Sequence, residues 1–323
     1  MSTWLVTGGA GYIGAHVARR LLESGRQVVV LDDLSTGHRS FVPDGVPFVE
    51  TSTNDGAAVA AALRDHSVDG IVHLAALKYA GVSVDEPLRF YRANVDGMRA
   101  LLEATVDVGI EQFVYSSSCG VYGTPAVVPV TEEAPLAPES PYGETKLIGE
   151  WLVAATATAH PLRHTSLRYF NVVGSGYDEV TDTSPHNLFP KVFAALDAGE
   201  RPVVYGTDYD TPDGSCVRDY VHVGDLADAH VVAVDRIEAG TSLRSAYNIG
   251  AGVGSSVLEV VAAIGRVLDR ELDVEIRDRR PGDPAAVYGD VRAAADDLGF
   301  VVQHDLDDMV RTAWSAWRHN VDD

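Results

Sequence analysis

Cysteine is nearly absent from the chain: Cys119 and Cys216 are the only two in 323 residues. Two cannot build a disulfide framework, and no paired Cys/His cluster accompanies them, so neither secretion nor a structural or catalytic metal is indicated. Long apolar runs are missing as well. No window of about 18 residues is uninterrupted by polar groups, and the N-terminus carries no basic, apolar leader with a cleavage site, which predicts a soluble, cytoplasmic protein. Basic residues are scarce, 25 Lys and Arg against 47 Asp and Glu, for a net charge of −22 and a pI near 4.7. That balance repels nucleic acid and anionic membrane, so any phosphate ligand must be held by local groups. A solvated acidic surface accounts for it, with high-salt adaptation as the alternative. Internal repeats and low-complexity segments are also lacking, apart from the acidic Asp322-Asp323.

What is present is a core. Hydrophobic residues make up 46% of the chain, which is long enough for two domains or for one large α/β unit with an appended lobe. Strand-like runs at Trp4–Val6, Val28–Leu31, Pro47–Val49, Gly70–Leu74, Gln112–Tyr115 and His164–Arg168 are separated by helical patterns at Gly14–Glu23, Asp55–Asp65, Glu86–Val108 and Pro141–Thr156. Such alternation predicts right-handed β-α-β units and a doubly wound, parallel, Rossmann-type sheet. Ligands of these sheets sit beyond the carboxyl ends of the strands, here Gly8, Asp32, His73–Lys78, Ser116–Ser118 and Tyr169–Asn171.

After Gly174 the chain turns to loops rich in Gly, Asp, Thr and Pro. The expected organisation is a first domain over 1–174, with returns to the main sheet at 217–250, and a smaller, interleaved lobe over 175–323. Val217–Val223 and Ala246–Ile249 are the returning strands, joined by a helix at Asp225–Arg236. Leu306–His319, with Met309, Val310, Ala313, Trp314 and Trp317, reads as an amphipathic helix whose aromatics pack.

The first strand runs directly into Gly8-Gly9-Ala10-Gly11-Tyr12-Ile13-Gly14 and a helix. Gly8 permits a tight turn, Gly11 lets the backbone approach a pyrophosphate at the helix N-terminus, and Gly14 allows close helix–sheet packing. The second strand ends in Asp32, placed to accept hydrogen bonds from an adenosine ribose and to repel a 2′-phosphate. The cofactor predicted is therefore NAD rather than NADP.

Tyr142 and Lys146 stand four apart at the start of a helical pattern, with Ser116-Ser117-Ser118 upstream. An i, i+4 spacing sets phenol and ammonium on one face, where the positive charge favours the phenolate. Together with the dinucleotide signature, this describes a hydride-transfer site with a tyrosine base.

Gly8–Gly14, His73–Lys78, Asn94-Val95, Ser116–Ser118 with Val121-Tyr122-Gly123, and Ser140–Lys146 match the motifs of the extended short-chain dehydrogenase/reductase superfamily, which the chain resembles over nearly its whole length. Arg168-Tyr169-Phe170-Asn171, Asn187-Leu188, Tyr205–Gly214 leading into Val217–Val223, and Arg279-Arg280-Pro281-Gly282-Asp283 narrow the resemblance to the UDP-glucose 4-epimerase family. That resemblance implies NAD as cofactor, a UDP-sugar substrate and interconversion of UDP-glucose with UDP-galactose through a 4-keto sugar. It implies Tyr142 as base, Lys146 as its partner and ribose ligand, and Ser118 beside the reacting oxygen. Gly8, Gly11, Tyr12, Ile13, Gly14, Asp32, Leu74, Ala75, Ala76, Lys78, Asn94, Ser116, Tyr169 and Phe170 join them around the cofactor. Lys78, Asn171, Asn187, Leu188, Val204, Tyr205, Arg218, Tyr220, Arg280, Asp283 and Val287 are implied around the substrate. Two arginines suit a pyrophosphate because a guanidinium bonds two oxygens at once.

Valine at 287, where a tyrosine narrows the sugar pocket in some members, implies room for an N-acetyl group. A homodimer through the helices at Glu86–Val108 and Pro141–Thr156 is also implied. Thr51-Ser52 replace the family's acidic adenine contact, Cys119-Gly120 its Ala-Thr pair, and Pro281 its glutamate; the Gly174–Pro185 loop differs too. Cys119 reads as a packing residue rather than a reactive thiol. The competing functions are a UDP-glucuronate 4-epimerase, a 4,6-dehydratase, which needs an acidic pair after the serines, and a silent NAD-binding sensor.

Overall fold

The computed structural model describes residues 1–280 and 282–322, so Pro281 and the Asp323 of the acidic tail lie outside the described residues. In chain order the elements begin with β1 (Thr3–Thr7), α1 (Tyr12–Glu23), β2 (Gln27–Asp32), β3 (Phe48–Glu50), α2 (Gly56–Asp65), β4 (Gly70–His73), α3 (Ala80–Asp85), α4 (Pro87–Phe90), α5 (Gly97–Val108), β5 (Gln112–Ser116), α6 (Pro141–Ala159) and β6 (Arg163–Tyr169). They continue with β7 (Asn171–Val173), α7 (Leu188–Asp197), β8 (Val203–Tyr205), β9 (Val217–His222), α8 (Val223–Glu238), β10 (Ala246–Ile249), β11 (Gly254–Ser256), α9 (Val257–Val267), β12 (Glu275–Arg277), β13 (Ala286–Val287) and α10 (Leu306–Asp322).

Seven strands form the main sheet in the order β10-β6-β5-β4-β1-β2-β3, all parallel. Its strands are apolar on both faces because helices cover both. Alternation along β1 sends Trp4 and Val6 to one layer, with Val17, Leu21, Leu226 and Val234 of α1 and α8. Leu5 enters the other layer with Leu63, Met98 and Leu101 of α2 and α5. Strand order reverses between β1 and β4, and a crevice opens there at the carboxyl ends.

Local chemistry fixes the helix starts that matter for the site. Ser140 caps α6 by accepting the Gly143 N–H at 3.2 Å, with Pro141 in the first turn where its missing donor costs nothing. Asp55 caps α2 through the Ala58 N–H at 3.0 Å, and Ser256 with Glu259 forms a reciprocal capping box on α9.

Two expectations need correction. The single helix expected over Glu86–Val108 is α4, a π-helical turn at Tyr91–Asp96, and α5. The widened turn carries Asn94, whose amide bonds the Leu77 backbone in both directions and the Thr145 hydroxyl. Val217–Val223 does not return to the main sheet. As β9 it pairs with β11 and β13, and in parallel with β7, forming a second sheet. The chain leaves the main sheet after Tyr169, so β9 follows β7, whereas Ala246–Ile249 does join the main sheet, as β10 beside β6, and α8 packs on α1. Among the described residues no helix is long and apolar enough to cross a membrane.

Candidate active site

Two cavities meet at the crevice. The first, of about 210 Å³, is walled by Gly8, Gly11, Gly14, Asp32, Leu74–Lys78 and Lys146; the second, of about 650 Å³, by Ser118, Asn171, Asn187, Leu188, Tyr205, Arg218, Tyr220, Arg280 and Asp283. Tyr12, Ile13, Lys78, Tyr142 and Tyr169 line both. Tyr142 therefore stands at the seam.

The first cavity has the shape a dinucleotide requires. Gly8 adopts φ +70, and a Cβ there would lie 2.7 Å from the Ala75 nitrogen, so a side chain is excluded by both backbone and space. A Cβ on Gly14 would collide with the Gly8 carbonyl, which shows that Gly14 makes room for the turn itself rather than for the sheet. Gly11 caps α1 with no side chain bonded to the helix N-terminus, leaving those N–H groups for an anion. Asp32 is buried, accepting the Ala10 N–H at 3.0 Å on one oxygen and the Leu34 N–H at 2.8 Å on the other. Burial pushes its carboxyl up, against those two bonds. These features fit NAD.

Lys146 is buried, with its Nζ donating to the Ser116 carbonyl at 2.8 Å and lying 6.0 Å from the centre of the Tyr142 ring. Burial lowers its pKa to about 7, partly countered by Glu150. Burial raises Tyr142 to about 12, and its hydrogen bond with Ser118 works the other way. Without an added positive charge, both groups are thus driven toward their neutral forms. Ser118 accepts the Gly120 N–H at 3.1 Å, which aims its oxygen at the seam. The middle of α6 is tied to β6 by Glu150, which accepts from Ser117 at 2.5 Å and pairs with the buried Arg168 at 2.7 Å.

Across the second cavity Arg280 stacks on the Tyr205 ring at 3.9 Å. Arg218 donates to the Val217 and Pro284 carbonyls at 2.8 Å and lies 3.5 Å from Asp283. Asn187 starts α7 and bonds Asp182 at 2.6 Å, and Asn171 donates to the Asp219 carbonyl at 3.2 Å.

Not every expected residue reaches a wall. Asn94 and Ser116 sit behind the first cavity, holding Leu77 and Lys146, and Phe170 lines the second cavity instead. Val204 is buried, because alternation along β8 turns Val203 and Tyr205 to the cavity and Val204 away. Val287 is buried on β13, in register with Arg218 and hence on the same sheet face, but covered. Cys119 is a packing residue, its thiol pushed up to about 12 by burial. Sequence reasoning missed Asp33, Ser35, Thr36, Asn54 and Asp182–Ser184 in the first wall, all loop positions without a periodic signal. Ser52 is in that wall, its hydroxyl accepting from Asn54 at 3.3 Å.

The model of the NAD dependent epimerase/dehydratase family matches residues 4–250. The UDP-glucose 4-epimerase of Azospirillum brasilense is 42% identical over 325 residues, 98% of this chain and 92% of that one. Among solved structures, the UDP-glucose-4-epimerase of Stenotrophomonas maltophila, with bound NAD and formylated UDP-arabinopyranose, has a TM-score of 0.94 and 38% identity, covering 100% of this chain and 99% of that one. The UDP-glucose 4-epimerase of Bifidobacterium longum in complex with NAD+ and UDP has a TM-score of 0.90 and 34% identity, covering 99% and 98%.

Proposed function

The chain belongs to the NAD dependent epimerase/dehydratase family, and from that premise we propose that it interconverts UDP-glucose and UDP-galactose by oxidation and re-reduction at the sugar 4-position, in the cytoplasm and as a homodimer. The observation that carries the reading is Tyr142 at the seam, with Lys146 beneath it and Ser118 beside it, between a dinucleotide-shaped cavity and one lined by arginines.

NAD, when bound, would supply the hydride acceptor and donor. The turn at Gly8–Gly14 would hold its pyrophosphate, Asp32 its adenosine ribose, and Lys146 the second ribose. Tyr142 takes the proton of the sugar 4-hydroxyl as carbon 4 is oxidised, and returns it when that carbon is re-reduced from the opposite face. Lys146 lowers the cost of the phenolate, and Ser118 orients the sugar oxygen. Arg218 and Arg280 grip the diphosphate, while Asn171, Asn187, Leu188 and Tyr205 hold the rest of the nucleotide. These anchors address the nucleotide, so the 4-keto sugar is free to turn over between the two half-reactions. Ser118-Cys119-Gly120 offers no acidic pair for a dehydratase, and retention of Ser118, Tyr142 and Lys146 together speaks against a silent sensor.

The test is incubation with UDP-galactose and no added cofactor, followed by separation of the two UDP-hexoses. A mixture of both is expected, and no conversion even with NAD supplied overturns the assignment. The dimer rests on Val84, Leu88 and Trp151, which are 61%, 80% and 60% exposed on α3, α4 and α6. Trp151→Glu converts a dimeric mass in solution to a monomeric one; a monomeric wild type removes the dimer.

A further inference from the structure

Behind the seam, the Ser116 hydroxyl lies 2.8 Å from Nε2 of His230, on α8, a contact that the hydride-transfer scheme leaves unused. Nδ1 of His230 lies 2.8 Å from the Leu226 carbonyl, which only an N–H can satisfy, so Nε2 is an acceptor and the Ser116 hydroxyl is its donor. The ring is fully buried, and burial lowers it to about 4, which keeps it neutral with this tautomer near neutral pH. The Tyr169 ring, which lines both cavities, lies 6.5 Å from the His230 ring, centre to centre. The Ser116 carbonyl receives Lys146 Nζ. His230 thus neighbours two residues of the transfer site, Lys146 through Ser116 and Tyr169 through its own ring.

We propose that His230 is a positioning residue for the hydride-transfer step, holding Lys146 through Ser116 and Tyr169 through its own ring in register with Tyr142. The inference rests on the function proposed above. Lys146 is faced by Tyr142 and Glu150 from α6, by His73 from β4 and by Tyr115 from β5, and the face of Ser116 toward α8 is taken by His230. A lost acceptor leaves the buried Ser116 hydroxyl without its partner, so the end of β5 that offers its carbonyl to Lys146 shifts. Misplacement by about 1 Å is enough to cost about 100-fold in a rate.

The experiment compares wild type with His230→Phe, His230→Gln and Ser116→Ala, each loaded with NAD and assayed on UDP-galactose across pH. His230→Phe and Ser116→Ala are expected to lower kcat about 10- to 100-fold with KM within about threefold, and to shift the pH profile upward as Lys146 loosens. His230→Gln keeps an acceptor and is expected to recover most of the rate. Wild-type kcat and pH profile in Ser116→Ala overturn the proposal, as does a His230→Gln loss equal to that of His230→Phe. If His230→Phe does not fold, Ser116→Ala and His230→Gln decide between the same outcomes. An inactive wild type instead removes the function on which the inference rests.

Discussion

The two cavities are built by opposite means. In the first, the groups that matter are backbone or buried: the Gly8–Gly14 turn, Asp32 with both oxygens engaged, and Lys146 sealed under the seam. In the second, the anchors are long side chains at the ends of short strands and in loops, with Arg280 exposed over Tyr205 and Arg218 braced by two carbonyls. Buried groups have their protonation set by desolvation, while a partly exposed guanidinium is free to bond two oxygens of an anion at once. The difference teaches that the proposed function divides its labour, protons falling to the buried half and occupancy to the half made of long side chains.

Substitutions that separate rate from occupancy sharpen that contrast. The largest effect belongs to the buried half: Tyr142→Phe removes one hydroxyl and is expected to lower kcat about 100- to 10,000-fold with the fold and bound NAD retained. Turnover within a few-fold of wild type in an NAD-loaded sample takes the base role away from Tyr142. Arg280→Ala, in the other half, is expected to raise KM about 10- to 100-fold with kcat little changed, since a hydrogen bond to a charged group contributes about 1.5–3 kcal/mol. A fall in kcat at unchanged KM would break the division.

Acid is the next test. His16, His73, His222 and His230 are all buried, and burial lowers them to about 4, 3, 3 and 4. Their folded pKa values lie below the unfolded value of about 6.5, so the unfolded chain binds more protons as pH falls through that window. The stability from keeping each ring neutral is complete above about pH 6.5 and declines toward pH 3–4, by up to about 1.4 kcal/mol per pH unit for each histidine. Urea midpoints measured from pH 7.5 to 4.5 should fall accordingly, and a flat series excludes these rings as the cause. The smallest effect concerns Val287. A tyrosine there shares the sheet face of Arg218, which lines the second cavity, and is larger than the buried valine it replaces. Wild type is expected to turn over the UDP-N-acetylhexosamine pair measurably, and Val287→Tyr to lower that rate relative to the plain sugars; an unchanged ratio removes Val287 from specificity.

Legibility followed the same division. The first cavity could be read from sequence because its chemistry is local: glycines three residues apart at a strand end, an aspartate closing the next strand, and Tyr142 with Lys146 one helical turn apart. The second half was harder because its meaning lies in pairing. The place of β9 depends on where β7 leaves the main sheet, and Val204 was misplaced by the alternation of a three-residue strand that no longer pattern announces. Asn94 was expected beside the cofactor but sits behind the first cavity, on a widened helical turn with no sequence signal, since that shape depends on a bond to Leu77 across the fold. His230 and Ser116 meet across 114 positions, and neither carries a local motif for the other.

The double engagement of Asp32 bears on redesign of cofactor choice. Its carboxylate stitches Ala10 in the glycine turn to Leu34 beyond the second strand. Exchanging it for a small neutral residue to admit a 2′-phosphate therefore cuts two tethers of the turn at the moment the charge is removed. An engineer seeking an NADP-using variant must supply new acceptors for both amides, or the cradle slackens before the new nucleotide arrives.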